Sequence, residues 1–352
     1  MTTAIGLHIR SSLLGGLVTS NQLETTLNSD GLYIDGFLSL LGTNSHLNMI
    51  LNNSDALNLV FGSAKASELF FNNGNAVNEL SSKELAVSLM MQSTNALKEL
   101  VDSQEALAIF NSSASKLALV NQFINQTGYK LKRQVFTTSG TLTYSDTIVK
   151  CNEFGVGDGG NGSTVSVGGQ AGQGGGGGEV VCKTKISSFI PTSSAVSISD
   201  GNNTTVGTTL FVATKGTTGD NDPLVSGTGG GSDTGSNVDL FLPNSICLDP
   251  TLAIWYPGNW TVKGGDGGNG SPNDGLPASS LLGTGGEWVS HNSGGIASTG
   301  YGSGGAGGGY SGGGTNYPGT DAGGYGCGGN SSNRGGSGGA GSNGLFVFTY
   351  II

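Results

Sequence analysis

The sequence predicts a mixed fold, α then β. A decapeptide array of short helices leads into a β-rich domain with glycine-rich, polyglycine-II-like loops, and the whole is expected to be an elongated oligomer. Three observations carry this. An apolar pattern returns every ten residues in the first third of the chain, strand-like runs replace it from Gln134 onward, and the 66 glycines among 352 residues crowd into the later part.

In the array, Ala56, Ala66, Ala76, Ala86, Ala96 and Ala106 share one phase. An apolar residue usually follows (Leu57, Val77, Val87, Leu97, Leu107), then a pair such as Leu59-Val60, Leu69-Phe70, Leu89-Met90 or Ile109-Phe110. Spacing of i, i+1, i+3 and i+4 suits one short helical face. A single long helix fails, because ten residues at about 100° each leave the stripe about 80° out of phase per repeat. The polar breaks, among them Asn52-Asn53-Ser54, Asn72-Asn73-Gly74, Gln92-Ser93-Thr94 and Asp102-Ser103, sit where N-caps belong. A zigzag of helices of about two turns is expected, and helices that short must stack on neighbours, in a solenoid or against other subunits. An ordinary helical domain with chance spacing is the plain alternative.

From Val135 to Tyr144, β-branched or aromatic residues alternate with small ones, which is strand pattern, and Thr147 to Cys151 reads as a second strand. A glycine loop from Gly155 to Gly178 follows, then strand-like composition from Glu179 to Ile190. Asp158-Gly159-Gly160-Asn161-Gly162-Ser163 recurs as Asp266-Gly267-Gly268-Asn269-Gly270-Ser271, opening a second glycine segment to Gly344. Leu345 to Ile352 closes the chain as a strand. Between the glycine segments, Thr208 to Thr214, Val238 to Leu242 and Ile254 to Val262 are strand candidates. The glycine runs are flexible linkers or ordered chains. Tethered at both ends and free of side chains, three-residue-per-turn chains can approach closely and bond laterally through their backbones, and this reading is favoured. The expected units are 1–45, 46–130 (helical array), 131–182 (strands and first glycine loop), 183–263 (β insertion) and 264–352 (glycine-rich end with closing strand).

Composition excludes several classes. No Gly-X-Y period exists, so collagen is out. A formal charge of -10 argues against nucleic acid. Lys130, Lys132 and Arg133 read as a solvated run. No stretch approaches a membrane span of roughly 18 apolar residues, and no secretory leader is expected from Met1 to Leu7. Cys151, Cys182, Cys247 and Cys327 read as free or packed thiols, with a Cys151–Cys182 bridge as the alternative. His8, His46 and His291 fall in separate segments without metal spacing, and no nucleophile elbow precedes a helix. Asp220, Asp222 and Asp233 read as a solvated turn. No cofactor, metal or catalytic residue is expected, and the chain reads as a non-enzyme. Trp255, Tyr256, Trp260, Trp288, His291, Tyr301, Tyr310, Tyr317 and Tyr325 are the candidate binding residues, since Tyr and Trp on glycine loops give large contact area at low entropy cost. The bland reading is that some of them cap the glycine chains or fill subunit contacts.

The order Val135–Thr143, apolar strand, Gly155–Gly178, exit strand, then glycine-rich loops closed by Gly344-Leu345-Phe346-Val347-Phe348-Thr349-Tyr350 resembles the glycine-rich C-terminal domain of phage tail fibres and tail-tip adhesins. The likeness covers about the last two-thirds of the chain and rests on order and composition. The decapeptide array more loosely resembles Ser-Ala-Leu repeats of phage fibre shafts. The resemblance implies polyglycine-II bundles, distal loops that set the receptor, a trimeric fibre subunit docked to other virion proteins through its N-terminal region, and a host surface protein or polysaccharide as partner. An architectural head fibre or decoration protein, with assembly contacts only, is the rival expectation. The insertion at Lys183 to Lys263 is larger than such a domain requires, and Thr164-Val165-Ser166-Val167 interrupts the first loop.

Overall fold

The computed structural model describes residues 2–144, 147–164, 173–186, 193–199, 201–207, 210–219, 251–256, 258–267, 282–284, 299–302, 305, 322–330, 332 and 337–352. Its first part is helical: α1 (Thr2–Leu14), α2 (Ser20–Ser29), α3 (Gly31–Leu41), α4 (Asn44–Leu51), α5 (Ser54–Gly62), α6 (Ala64–Phe71), α7 (Gly74–Leu80), α8 (Glu84–Gln92), α9 (Thr94–Asp102), α10 (Gln104–Asn111) and α11 (Ala114–Asn121). From α4 onward each helix begins ten residues after the one before.

Capping explains the starts. Asn53, Ser63, Asn73, Ser93 and Ser103 accept the backbone N–H of Ala56, Ala66, Ala76, Ala96 and Ala106, which would otherwise lack partners at the helix N-termini. Those alanines are fully buried, which leaves no room for a larger side chain at that phase. The buried face differs by one residue from the expected pairs. It is Ala56, Leu57, Val60 and Phe61 in α5, and Ala96, Leu97, Leu100 and Val101 in α9, while Leu59, Leu69, Leu89 and Ile109 are only partly buried. At about 100° per residue, i, i+1, i+4 and i+5 fall within an arc of about 140°, and i+3 lies about 60° outside it.

Each helix lies on the helix three positions before it. α2, α5, α8 and α11 form one row, α3, α6 and α9 a second, and α1, α4, α7 and α10 a third. The helical part, residues 2–121, thus winds as a solenoid with three helices per coil. The caps also tie coil to coil: Ser93 Oγ donates to the Phe61 carbonyl at 2.8 Å and Ser103 Oγ to that of Phe71 at 3.0 Å, each 32 residues back. Asn75 and Asn95 reach Leu41 O and Gly62 O in the same way. The stacking partners therefore come from this chain itself, so helix shortness does not by itself call for other subunits. One hydrophobic cluster runs from Ile9 through the array to Ile351, crossing position 45 without a break, and α1 closes against α3 where Gly6 meets Gly36.

The β part opens with β1 (Leu131–Phe136) and β2 (Gly140–Thr143), then β3 (Lys150–Val156), β4 (Val180–Ile186), β5 (Ser193–Ser197), β6 (Thr204–Val206), β7 (Phe211–Ala213), β8 (Trp260–Val262), β9 (Leu282–Thr284), β10 (Thr299–Tyr301) and β11 (Leu345–Ile351). The main sheet has the order β1-β11-β3-β4-β8, with its described pairs antiparallel, a second sheet has β2-β5-β6-β7, and β9 pairs with β10. The stretch expected as one strand from Val135 to Tyr144 is split between the two sheets, and β4 crosses the boundary expected at 182. Val238 to Leu242 lies outside the described residues.

β11 is buried along its whole length, as an inner strand covered on both faces must be. Phe346, Phe348 and Tyr350 point into the cluster shared with the second sheet, where Val196, Val206 and Phe211 meet them. Leu345 and Val347 point to the other face, against Phe154, Tyr256 and Trp260. The sheets also close the open end of the solenoid. Leu131, Ile254, Trp255 and Ile351 complete the helical core, Lys130 N–H donates to Met91 O at 2.8 Å, and Thr94 Oγ1 donates to Ile352 O at 2.9 Å.

Candidate functional site

Several strands run straight into glycine-rich chain. β3 continues into 157–163, the segment 173–179 leads into β4, β7 continues into 214–219, β8 into 263–267, and 337–344 leads into β11. These segments lie side by side and bond through their backbones.

The segment Gln173–Glu179 is buried throughout and is the hub. Gly175 N–H and Gly178 N–H donate to Gly329 O and Gly326 O at 3.0 and 2.7 Å. Gly176 N–H and Glu179 N–H donate to Thr217 O and Thr214 O at 2.9 and 2.8 Å, and Gly177 N–H turns to Gly265 O at 2.8 Å. Residues three apart therefore face the same neighbour, and consecutive residues face different ones. That is the geometry of a three-residue turn, in which only lateral bonds can satisfy the backbone.

The glycines follow the same period. A Cβ placed on Gly157 or Gly160 would collide with the carbonyls of Thr214 or Thr217, on Gly175 or Gly178 with Gly160 or Gly157, on Gly216 or Gly219 with Gly176 or Gln173, and on Gly338 or Gly341 with Gly162 or Gly159. Side-chain-free backbone is a steric requirement of the bundle. Its role in the fold is to replace a hydrophobic core with a hydrogen-bonded one.

The rim is held by polar side chains. Asp158 is buried and accepts Gly344 N–H at 2.7 Å on Oδ1 and Asn202 N–H at 3.2 Å on Oδ2. Glu179 Oε2 accepts Thr214 N–H at 2.9 Å, Asn161 Oδ1 accepts Gly341 N–H at 2.8 Å, and Ser163 Oγ accepts Gln173 N–H at 2.6 Å. In the second copy of the hexapeptide, Asp266 instead pairs with Lys263 at 2.8 Å. The repeated Asp-Gly-Gly-Asn-Gly-Ser was the available signal for these roles, although repetition alone does not say which atoms are bridged. On the flank of the bundle, Asn161, Lys215, Thr217 and Thr218 line a polar cleft of about 160 Å³ with backbone of Gly159 and Gly160.

Compared with known proteins, the chain matches no family model and no curated protein sequence.

The aromatic candidates divide. Trp255, Tyr256 and Trp260 are 1%, 2% and 4% exposed and are core residues, which removes them as surface contacts. Trp255 fills the junction between solenoid and sheet, where Asn111 bonds both to Trp255 O and to Ile254 N–H. Tyr256 stacks on Phe154 with centroids 4.9 Å apart, and Trp260 meets it edge-on at 6.3 Å. Tyr325 is half-buried against the same cluster. Tyr301 ends β10 opposite Leu282. Trp288, His291, Tyr310 and Tyr317 lie outside the described residues.

Arg133 is a further correction. It is buried rather than solvated, and its guanidinium grips the backbone of 251–253, donating to Thr251 O at 2.8 Å and to Ala253 O, and it also donates to Asn121 Oδ1 at 2.8 Å. The Cys151–Cys182 bridge is not formed. Cys151 faces one cluster and Cys182 the other, on opposite faces of the main sheet, and burial pushes the Cys182 thiol up to about 12. Among the described residues no group of His, Cys, Asp and Glu is placed to hold a metal ion, and no helix is long and apolar enough to cross a membrane.

Proposed function

We propose that this protein is a structural subunit of a bacteriophage tail fibre or similar virion appendage, whose glycine-rich end binds the host surface. The observation that carries this reading is the laterally bonded glycine bundle seated on β-strands. Such a bundle is a rigid base from which loops can be presented, and rigidity lowers the ordering cost of binding. The solenoid acts as the shaft and the first helices as the attachment to other virion proteins. The protein works by binding, with no catalytic step, and as a homo-oligomer, taken as a trimer from the fibre class.

A purely architectural role is the second reading. Burial of Trp255, Tyr256 and Trp260 favours it, because the most aromatic stretch of the chain is spent on the core.

Adsorption separates the two. Purified protein should block phage adsorption in a dose-dependent way, and Trp288→Ala or Tyr310→Ala should weaken the block without loss of particle assembly. An inert protein that nevertheless decorates particles in electron micrographs would leave the architectural role standing and remove the adhesin. A stable monomer by mass measurement would remove the trimer.

A further inference from the structure

In the glycine bundle the segments 157–163 and 214–219 run parallel. Gly157 lies against Thr214 and Gly160 against Thr217, and Gly216 N–H and Gly219 N–H donate to Asp158 O and Asn161 O, both at 2.9 Å. Three residues complete a turn, so Asp158 and Asn161 present their N–H groups in one direction, and Lys215 and Thr218 do the same on the neighbouring chain. At the first of these two levels the loop 201–203 meets both donors. Asp158 N–H reaches Asn202 O at 3.4 Å, and Lys215 N–H reaches Asn203 Oδ1 at 3.0 Å. One turn on, about 9 Å along the chains, the N–H groups of Asn161 and Thr218 have no partner among the described residues. Both residues line the polar cleft of about 160 Å³ on the bundle's flank.

Lys215 adds charge to the same cleft. Its Nζ donates to the carbonyl of Gly201, another lining residue, at 2.6 Å, which leaves two of the three ammonium protons without a partner among the described residues. Lys215 also takes part in none of the ion pairs among those residues. Backbone N–H groups and an ammonium converging on one cleft, all lacking acceptors, make an anion site. One ammonium in a protein of formal charge -10 balances a single negative charge, which favours a carboxylate over a phosphate monoester with nearly two. The rest of the lining is glycine backbone, the Asn161 side chain and the hydroxyl groups of Thr217 and Thr218, which answer hydroxyl groups and offer an apolar side chain little to pack against. The size suits a six-membered ring, since a cavity of about 150 Å³ takes benzene.

We infer that this cleft binds a hexuronic acid residue of a host-surface polysaccharide. The sugar carboxylate takes the N–H groups of Asn161 and Thr218 and pairs with the Lys215 ammonium, and the ring hydroxyls meet the threonines. The inference names a receptor class for the adhesin reading and rests on that reading for the source of the sugar. It places the contact on the flank of the bundle, where donors of the backbone itself do the binding.

The test uses the full chain with sodium glucuronate as probe and follows backbone amide resonances. Saturable shifts of Asn161 and Thr218 are expected, with half-saturation at roughly 1–10 mM for a ligand of this size. Glucose, which lacks the charge, should give none. Thr218→Pro removes one donor and keeps the backbone, since the fixed φ of proline matches a three-residue turn and no hydrogen bond of this N–H is lost. It should weaken binding about tenfold, read at the Asn161 amide, and Lys215→Gln should do likewise. If Thr218→Pro lowers the melting temperature, Lys215→Gln decides alone. Absence of saturation, equal shifts with glucose, or unchanged affinity in Lys215→Gln would each overturn the inference. So would acetate or inorganic phosphate binding as tightly as glucuronate, which would make the cleft a site for a bare anion. Protein that blocks adsorption yet ignores glucuronate discards this inference alone, whereas protein that binds glucuronate and leaves adsorption unchanged keeps the sugar site and loses the adhesin reading.

Discussion

Glu153 has no exposed surface, and Lys185 reaches both of its carboxylate oxygens, at 3.0 and 2.9 Å. Burial raises its pKa above the ordinary carboxylate value, and the Lys185 hydrogen bond offsets only part of that. An acid with a raised pKa in the folded state binds more protons folded than unfolded. Its contribution is therefore full below the unfolded pKa and is lost as pH rises through the folded one. Glu153→Gln, which keeps an oxygen for Lys185, should flatten the fall in melting temperature across that window, and an unchanged slope in the variant would sink the assignment. Position 153 was not legible in the sequence as a buried acid. The neighbouring Gly155 gives the reason, since its missing side chain makes room for the Phe211 ring of the second sheet, 56 residues away.

At the scale of the helix, the cap phase is the clearest local rule in the chain; α4 and α11, at the ends of the array, lack the cap hydrogen bond, and within it α8 departs. Lys83 holds the N-cap position with no side-chain hydrogen bond, where Asn53, Ser63, Asn73, Ser93 and Ser103 each supply one. Lys83→Ser should stabilise the protein by about 1 kcal/mol, read as a higher midpoint in denaturant at unchanged slope. A neutral or lower midpoint would mean that the lysine makes an equivalent contribution elsewhere. The ends of these helices could be read directly, because a cap and its N–H lie three residues apart. The buried face was misplaced by one residue, since Leu59 and Phe61 are both apolar and only stacking on the next coil selects Phe61. The glycine chains show the same division. Their anchoring by strands follows from local composition, but pairing of Gly175 with Gly329 is a contact between segments that no spacing records.

For the whole molecule, the order of the main sheet sets a condition on folding. β11 lies between β1 and β3 and ends against α9, so the sheet, the solenoid end and the bundle share one strand that is reached only at the end of the described chain. Deleting Leu345 to Ile352 should therefore remove protection of bundle amides such as Gly176 and Gly178 in hydrogen exchange, while amides of α5 and α6 keep theirs. Protection of the glycine hub in the truncated protein would show that the bundle forms without its anchoring strand. By itself the sequence determined the α-then-β order, the ten-residue spacing of the polar breaks that cap most helices from α5 onward, and the strands that flank the glycine runs. Each of these follows from backbone sterics and hydrogen bonds spanning a few residues. Only the tertiary structure decided that Trp255, Tyr256 and Trp260 are core, that Arg133 is a buried clamp, that coils three helices apart stack within one chain, and which glycine chains are neighbours. Those outcomes depend on surfaces brought together from distant positions, where burial is settled by what fills the space and not by the residue's own type.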